Sequence, residues 1–281
     1  NAGRARHAFA FEAERCLAPL PRAHQWVGGG AFASHARLLH QAWPLHWAQP
    51  PQLEPQMAQG PSGDFAAPTD EVRVASEALQ VDFSAELFAV TGDVRQGVSA
   101  EQALEGVRLL GLANVTRLCR LLEAEHASGW GLLQAMPSVA MAPVLVTPDE
   151  LGPAWADGRA QLTLQCSWNG RKFGLCDTAA MDFGFGELLA HAAKTRRLRA
   201  GTLIGSGVIS NAGAPDEQGR MAWPKGFGCL RERQAMEQVQ DGQVRTGFMR
   251  FGDTVRLDLR RDGQSLLGAI EQTVMPLNAT V

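Results

Sequence analysis

Residues 186–207 read GELLAHAAKTRRLRAGTLIGSG, and this stretch is the part of the sequence that decides the fold. Its first half predicts a helix from about Phe185 to Leu198. Three arginines near the end of that segment suit the negative end of a helix dipole, and Gly201 then ends the helix. The second half predicts a buried strand over Thr202–Ser210, which contains two glycines. The stretch therefore reads as a helix that leads directly into the interior of a sheet.

The sequence divides into two regions at residue 70. Residues 1–70 contain many prolines and are predicted to be irregular, apart from a helix over Ala33–Ala42. We expect this region to be the remainder of a longer N-terminal part. Residues 71–281 are predicted to form the main domain. Within it, Ser99 and Gln102 have the spacing of a capping box and open a further helix.

Strands dominate the rest of the prediction. Val81–Val90 alternates in the manner of a strand with two different faces. Asn169-Gly170 is typical of the type I′ turn of a hairpin that spans Gln161–Phe173. Asp262-Gly263 joins a second hairpin near the end of the chain. The sequence therefore predicts an α+β fold with a curled mixed sheet.

The composition excludes several classes of function. The 281 residues include 26 Lys plus Arg and 29 Asp plus Glu, which gives a net charge of −3. This balance argues against a nucleic-acid-binding protein and against a polybasic membrane anchor. No apolar run approaches the roughly 20 residues of a membrane span. The five cysteines are scattered without a CxxC pair, which predicts reduced thiols in a cytoplasmic protein.

The stretch at 186–207 resembles the fumarylacetoacetate hydrolase family, and specifically its bacterial fumarylacetoacetase-like branch. The resemblance extends from about Ala23 to the C-terminus, and the Gly201–Gly207 segment is its most specific part. Shorter matches follow one another in the family's order: Val81-Asp82-Phe83 with Glu86, residues 148–152, Met181-Asp182-Phe183 and residues 248–253.

The resemblance implies both a fold and a chemistry. The fold is a mixed β-roll, or barrel-like sheet, with a few peripheral helices, and residues 71–281 are its C-terminal catalytic-type domain. Family members are usually homodimers and hydrolyse a carbon–carbon bond in a diketo acid, as in aromatic catabolism. Carboxylates hold a Mg²⁺ or Ca²⁺ ion, a His activates water, and a Lys and an Arg stabilise the developing negative charge.

The resemblance also implies that the family's metal site is degenerate here. Of the four ligand positions only Glu86 is a carboxylate, because the others are Gly28, Ser84 and Val115. On a straight strand Asp82 would lie about 13 Å from Glu86, too far to share an ion. Asp64, in a long loop, is the alternative that sequence cannot place. One carboxylate beside a serine binds Mg²⁺ weakly, so we expect no cofactor, or Mg²⁺ or Ca²⁺ only if the site survives in altered form.

The catalytic positions are substituted as well, with one exception. His35 stands at the position of the family's base. The positions of the family's Arg, Lys, Thr and Tyr are occupied by Cys119, Met136, Val208 and Phe32. Because none of these replacements carries a positive charge, they cannot stabilise a carbanion. A general base alone supplies only about 10²–10⁴-fold of rate.

Three functions remain open from the sequence. The first is a fumarylacetoacetase-like protein with impaired or absent hydrolase activity, which forms a homodimer or pairs with an active paralogue. The second is a hydrolase or lyase for a diketo or oxo acid, with an altered site built from His35 and Glu86. The third is a small-molecule binder, with an oxo acid as the expected ligand. Its vacated cavity would be lined by Trp26, Phe32, Met136 and Val208.

Overall fold

The computed structural model of the chain describes residues 9–47, 53–215, 217–218 and 221–277. The strands are β1 (Gln25–Gly29), β2 (Met57–Gly60), β3 (Val72–Val74), β4 (Val81–Asp82), β5 (Ala85–Thr91), β6 (Val107–Val115), β7 (Arg117–Leu118), β8 (Val139–Met141), β9 (Trp155–Ala156), β10 (Arg159–Ala160), β11 (Thr163–Trp168), β12 (Arg171–Asp177), β13 (Thr202–Val208), β14 (Ala214–Pro215), β15 (Met221–Ala222), β16 (Thr254–Arg261), β17 (Gln264–Ser265) and β18 (Ile270–Pro276). The helices are α1 (Ala33–Ala42), α2 (Ala100–Leu104), α3 (Cys119–Ser128), α4 (Phe185–Ala192) and α5 (Leu230–Asp241), with 3₁₀ segments at Ala13–Arg15, Glu77–Leu79 and Pro148–Ala154.

Two large mixed sheets form the body of the molecule. The first has the order β2-β1-β13-β5-β6-β8, in which β1 and β13 are parallel and the other neighbours antiparallel. The second has the order β12-β11-β16-β18-β3, with β17 added to β16, and β18 and β3 as its parallel pair. A few helices lie around these sheets. The predicted α+β fold with curled mixed sheets is therefore confirmed.

At Gly205-Ser206-Gly207, near the end of β13, the backbone packs closely against β1. Gly207 has a φ of +71°, and a Cβ placed there would lie 2.1 Å from the carbonyl oxygen of Gly29. Gly205 lies beneath Trp26, whose ring would be 2.9 Å from an added Cβ. Between them, the Ser206 hydroxyl accepts a hydrogen bond from the backbone N–H of Leu87 at 3.0 Å. Only glycines permit this contact between β13 and β1.

The helix of the deciding stretch is shorter than predicted. Helix α4 covers Phe185–Ala192, not the range to Leu198. It ends because Leu198 is drawn into a two-way backbone pairing with Val94, at 2.9 Å in each direction. The arginines that were predicted to close the helix therefore lie in the connection to β13. At its other end, the Glu187 carboxylate accepts a hydrogen bond from the Gly184 backbone N–H at 2.7 Å.

The predicted strand over Val81–Val90 is broken after Asp82. Strand β4 pairs with β7, and β5 begins only at Ala85. At the break, the buried Asp82 carboxylate accepts hydrogen bonds from the backbone N–H groups of Leu230 and Arg231, at 2.8 and 2.9 Å. The first backbone N–H groups of a helix have no acceptor within the helix, and Asp82 supplies one for two such groups of α5. The premise of one straight strand from Asp82 to Glu86 therefore does not hold, and the separation of these two carboxylates stays a prediction.

The region before residue 70 contains more regular structure than predicted. Helix α1 has the predicted bounds of Ala33–Ala42. Strands β1 and β2, however, belong to the first sheet, and β1 lies inside it between β2 and β13. Residues 1–8 and 48–52 of the predicted irregular region lie outside the described residues. The division of the chain at residue 70 stays a prediction.

Other local predictions agree with the structure. Ser99 and Gln102 form both hydrogen bonds of a capping box at α2. Asn169 and Gly170 have φ values of +51° and +70° in the turn between β11 and β12. Asp262-Gly263 is the turn between β16 and β17. In the described parts of the chain, no helix has the length and apolar composition needed to cross a bilayer.

Candidate functional site

A pocket of about 500 Å³ is lined by residues of the neighbouring strands β1 and β13 and of the helix α1 that follows β1. Its walls are mostly apolar and its polar groups are few, as in small-molecule sites generally. The structure brings together most of the residues that the sequence singled out. The predicted residues that line the pocket are Trp26, Gly28, Phe32, His35, Asp82, Ser84, Cys119, Met136 and Val208. It is also lined by Arg117, Cys229 and Arg231, which the sequence did not indicate.

Glu86 lies behind this wall and is paired with a cation of the protein itself. Its side chain is 0% exposed, and its Oε1 accepts a hydrogen bond from Arg117 Nη2 at 2.8 Å. The Ser84 hydroxyl donates to the same oxygen at 3.0 Å. Ser84 and Glu86 therefore share one face of the chain, as the alternation predicted. A buried carboxylate needs such a partner, because an unpaired buried charge is costly.

The neighbouring ligand position is occupied by packing residues. Val115 is fully buried and its backbone N–H donates to the carbonyl of Ser84 at 2.9 Å. Asn114 accepts a hydrogen bond from the Ser84 N–H and donates to Gln272 Oε1 at 2.9 Å. These contacts join β6 to β18 and to the residue that precedes β5. They supply no carboxylate that faces Glu86.

The groups around Glu86 do not fit the divalent cation that the family resemblance implies. Mg²⁺ and Ca²⁺ take six or more oxygen ligands. Here Glu86 Oε2 is buried without a hydrogen-bond partner among the described residues. The one side-chain oxygen among those residues that is hydrogen-bonded to the Glu86 carboxylate is the Ser84 hydroxyl. The Arg117 guanidinium on the other carboxylate oxygen repels a second cation. The residues around Glu86 therefore do not make up a site for a divalent cation.

His35 retains the arrangement of a general base. It lies in the first turn of α1, and its Nδ1 is 3.0 Å from Oε1 of Glu232 in the first turn of α5. Glu232 is 1% exposed, and its other oxygen accepts from the Gly228 backbone N–H at 3.2 Å. Because a carboxylate only accepts hydrogen bonds, it places the imidazole proton on Nδ1. The lone pair of Nε2 is then available as a proton acceptor.

The substituted catalytic positions form an uncharged part of the wall. Cys119 begins α3 and is buried, and this burial raises the pKa of its thiol, so the sulfur stays protonated. Met136 places its sulfur 2.9 Å from Arg117 Nη1. Val208 pairs with Glu86 across β13 and β5 and faces the pocket. None of the three can stabilise a developing negative charge.

Arg231 is a second cation in the wall, and its charge is largely compensated. Its Nη2 lies 2.6 Å from Glu123 Oε1, and the guanidinium stacks 4.0 Å from the centre of the Trp43 ring. Asp82, which binds the backbone of the same residue, is fully buried. Desolvation raises the pKa of the Asp82 carboxyl to about 6, although the hydrogen bonds from Leu230 and Arg231 oppose this change.

The residues of this site that the sequence did not indicate include Arg117 and Glu232, the partners of Glu86 and His35. Arg117 is the basic residue closest along the chain to the substituted position at Val115, and a lone buried Glu86 required a cation. That requirement could have indicated it. Glu232 lies almost 200 residues after its partner His35, and no spacing rule connects the two.

Comparison with known proteins supports this reading of the fold. A family model described as "Fumarylacetoacetate (FAA) hydrolase C-terminal" matches residues 25–275. No curated protein matches the chain significantly. Solved structures do, and among them is fumarylpyruvate hydrolase from Pseudomonas aeruginosa in complex with Mn²⁺ and pyruvate. It is 18% identical with a TM-score of 0.65, and the match covers 96% of this chain and 100% of that one.

Two isomerases have similar folds. 5-Carboxymethyl-2-hydroxymuconate delta-isomerase from Mycobacterium smegmatis is 19% identical, with a TM-score of 0.62 and coverage of 94% and 83% of the two chains. 2-Hydroxyhepta-2,4-diene-1,7-dioate isomerase from Mycobacterium marinum is 18% identical, with a TM-score of 0.60 and coverage of 93% and 78%. At these identities the likeness concerns the fold alone. The family model, however, spans most of the sequence, and this chain therefore belongs to the fumarylacetoacetate hydrolase family.

Proposed function

We propose that this chain does not carry out metal-dependent carbon–carbon bond hydrolysis, and that its pocket binds a small oxo acid without a metal ion. One observation carries the proposal: the Arg117 guanidinium lies 2.8 Å from Glu86 Oε1. The resemblance places a metal ligand at Glu86. The carboxylate that would attract the ion is therefore already neutralised by a side chain of the protein.

The energetic argument concerns the competition between a metal ion and Arg117. Two unit charges 4 Å apart interact by about 4 kcal/mol at an effective dielectric constant of 20, and a dication doubles this repulsion. A Mg²⁺ ion at Glu86 would also have to replace most of its water with very few protein oxygens. The ion pair with Arg117 needs neither change, so we expect it to persist at millimolar Mg²⁺.

The oxo acid is proposed from the shape and charge of the pocket. Arg117 lines it, and a guanidinium has five N–H donors, of which Glu86 and Met136 engage two. The remaining donors match the fork of a carboxylate. Trp26, Phe32 and Val208 supply apolar surface for the carbon chain. These features support a compact, carboxylate-bearing ligand rather than an extended charged one.

A second candidate function rests on the His35–Glu232 pair. An imidazole held in one tautomer by a buried carboxylate is a competent base for abstracting a proton next to a keto group. Such proton transfer forms and collapses an enol without breaking a carbon–carbon bond. The pair at 3.0 Å supports metal-independent enolisation or isomerisation of the bound oxo acid.

For assembly, we propose a homodimer or a heteromer with an active paralogue, on the strength of the family resemblance alone. Mass photometry of the purified chain tests the homodimer. Co-expression with a tagged paralogue from the same genome tests the heteromer.

The main experiment compares metal binding and ligand binding in the same preparation. Titration with Mn²⁺, followed by electron paramagnetic resonance, should show no site of micromolar affinity that depends on Glu86. Isothermal titration with pyruvate should show binding in the presence of a chelator, and Arg117→Met should abolish it. Acylpyruvate should not be hydrolysed with or without Mn²⁺. Turnover that requires Mn²⁺ and is lost in Glu86→Gln would overturn the proposal.

A further inference from the structure

A second group of potential ligand atoms lies in the same pocket, apart from the Glu86–Arg117 pair. His35, Cys229 and Glu232 each offer one atom, and these three atoms lie within 4.8 Å of one another. His35 and Cys229 line the pocket, so an ion can reach them from solvent. The three residues combine a nitrogen, a sulfur and an oxygen donor.

The local structure explains why these side chains converge. Cys229 is the N-cap residue of α5, and Glu232 lies three residues later in its first turn. An N-cap side chain and the side chain three residues later meet at the same end of a helix. The opposite side of the cluster is supplied by the first turn of α1, which packs against α5. Two rigid helix ends therefore hold all three donors.

The separations between the three donor atoms are close to those in a tetrahedral zinc site. Zn²⁺ binds His nitrogen at about 2.0–2.1 Å, Cys sulfur at about 2.3 Å and carboxylate oxygen at about 2.0–2.2 Å. Tetrahedral bonds of those lengths place the donor atoms roughly 3.4–3.6 Å apart. His35 Nδ1 and Glu232 Oε1 are 3.0 Å apart now, and no pair exceeds 4.8 Å. The widest separation must therefore shrink by at most about 1.4 Å, and the His35–Glu232 separation must widen by about 0.4 Å.

The charges of the donors also suit a divalent cation. A Cys229 thiolate and the Glu232 carboxylate together carry a charge of −2, which balances Zn²⁺. The nearby Arg231 is engaged with Glu123 at 2.6 Å, so its positive charge is screened from the cluster. Thiolate and imidazole select zinc-type ions over Mg²⁺ and Ca²⁺, which prefer oxygen.

We propose that His35, Cys229 and Glu232 form a binding site for a thiophilic divalent cation such as Zn²⁺, with its fourth position open to the pocket. Binding displaces the thiol proton of Cys229, so one proton is released to solvent for each ion that binds. The His35 proton moves from Nδ1 to Nε2, and Nδ1 then donates its lone pair to the metal. No oxidation or reduction takes place.

The proposed cation site goes beyond the proposed function and is independent of it. The cation occupies the atoms that otherwise form the His35–Glu232 base, so zinc binding and proton abstraction by His35 exclude one another. The Glu86–Arg117 pair takes part in neither ligand set. A failure of zinc binding therefore leaves the oxo-acid proposal standing, and the reverse also holds.

Co²⁺ is the probe for the test, because a cobalt–thiolate bond gives a charge-transfer absorption in the near ultraviolet. Titration of the full chain should produce this band at one equivalent, and added Zn²⁺ should remove it. Cys229→Ser should abolish the band. The matched control is Cys119→Ser, because Cys119 is an equally buried cysteine that lines the same pocket, and this variant should keep the band.

A second variant protects the test against a folding defect. Glu232→Gln keeps the side-chain shape and removes the carboxylate charge. Loss of a residue that merely supports a ligand costs about 10- to 100-fold in metal affinity, and loss of Glu232 itself should cost at least that much. The absence of a band in the wild-type chain, or its persistence in Cys229→Ser, would overturn the proposal. So would loss of the band in Cys119→Ser alone, because the thiolate would then belong to another site.

Discussion

Arg117 Nη2 donates a hydrogen bond to Glu86 Oε1 across 2.8 Å, and the carboxylate of this pair has no contact with solvent. A buried ion pair adds little net stability, because desolvation offsets most of the attraction. Its removal from one side only is expensive, since it leaves a charge without a partner. Because of this asymmetry, a substitution of Arg117 alone tests whether the guanidinium or a metal ion is the partner of Glu86.

Arg117→Met removes the cation and keeps most of the side-chain volume. We expect the free energy of unfolding to fall by about 3–5 kcal/mol, because Glu86 becomes an unpaired buried carboxylate. Millimolar Mn²⁺ should then raise the melting temperature of the variant but not of the wild type. The double variant Arg117→Met, Glu86→Gln is the control, and it should be more stable than the single variant and insensitive to Mn²⁺. Equal effects of Mn²⁺ on wild type and Arg117→Met would contradict the competition.

The His35–Glu232 pair predicts proton exchange on an oxo acid. In D₂O with a chelator, the protein should accelerate deuterium incorporation at C3 of pyruvate, as followed by NMR. His35→Ala should reduce that rate by about 10²–10⁴-fold, which is the usual contribution of a general base. Ser34→Ala is a neighbouring control, because Ser34 bonds Ser210 and not the base. An unchanged rate in His35→Ala would assign the exchange to another group.

Asp82 predicts a specific dependence of stability on pH. Its pKa is raised to about 6 in the folded state from 3.8, mainly because it is desolvated. The folded chain therefore holds more protons at this group than the unfolded chain between about pH 4 and 6, and stability falls as the pH rises through that range. The cost above pH 6 is about 3 kcal/mol.

Asp82→Asn isolates this effect. Urea unfolding of both chains in a chelator should show the wild type losing stability relative to the variant from pH 4 to 6.5. Above that pH the difference should be constant. Parallel stability curves across the whole range would mean that Asp82 is not the group responsible.

Gly207 predicts a severe effect from a single methyl group. Gly207→Ala would place Cβ 2.1 Å from the Gly29 carbonyl oxygen, in a conformation with φ of +71°. We expect little folded protein at 25 °C, as measured by circular dichroism and solubility. Gly263→Ala is the matched control, because Gly263 has a φ of +78° but open space around it. It should cost only about 1–2 kcal/mol, the backbone term alone.

The sequence allowed much of the fold to be predicted, because local patterns determine local structure. The capping box at Ser99 and the turn at Asn169-Gly170 depend on residues a few positions apart, and both were predicted correctly. The end of α4 depends instead on a pairing between Leu198 and Val94, a contact over a hundred residues away in sequence. Helix length could not be read from the local pattern for that reason.

The candidate site was predictable only in part, for the same physical reason. The resemblance located His35 and Glu86, and both lie at the pocket or directly behind it. Their partners, Glu232 and Arg117, could not be paired with them from spacing, because the pairs form only in the folded chain. The hydrogen bonds that Asp82 accepts from Leu230 and Arg231 likewise join residues almost 150 positions apart, so the sequence did not indicate them.

The parallel pairing of β1 with β13 has a consequence for how the molecule is made. Gln25 pairs with Thr202 and Gly28 with Gly205. An inner strand from the first part of the chain therefore pairs with a strand that is synthesised much later. During translation β1 emerges long before its neighbour on that side exists. The pocket wall must therefore close late in biogenesis, and a nascent chain halted before β13 would leave β1 with a hydrogen-bonding partner on the β2 side only.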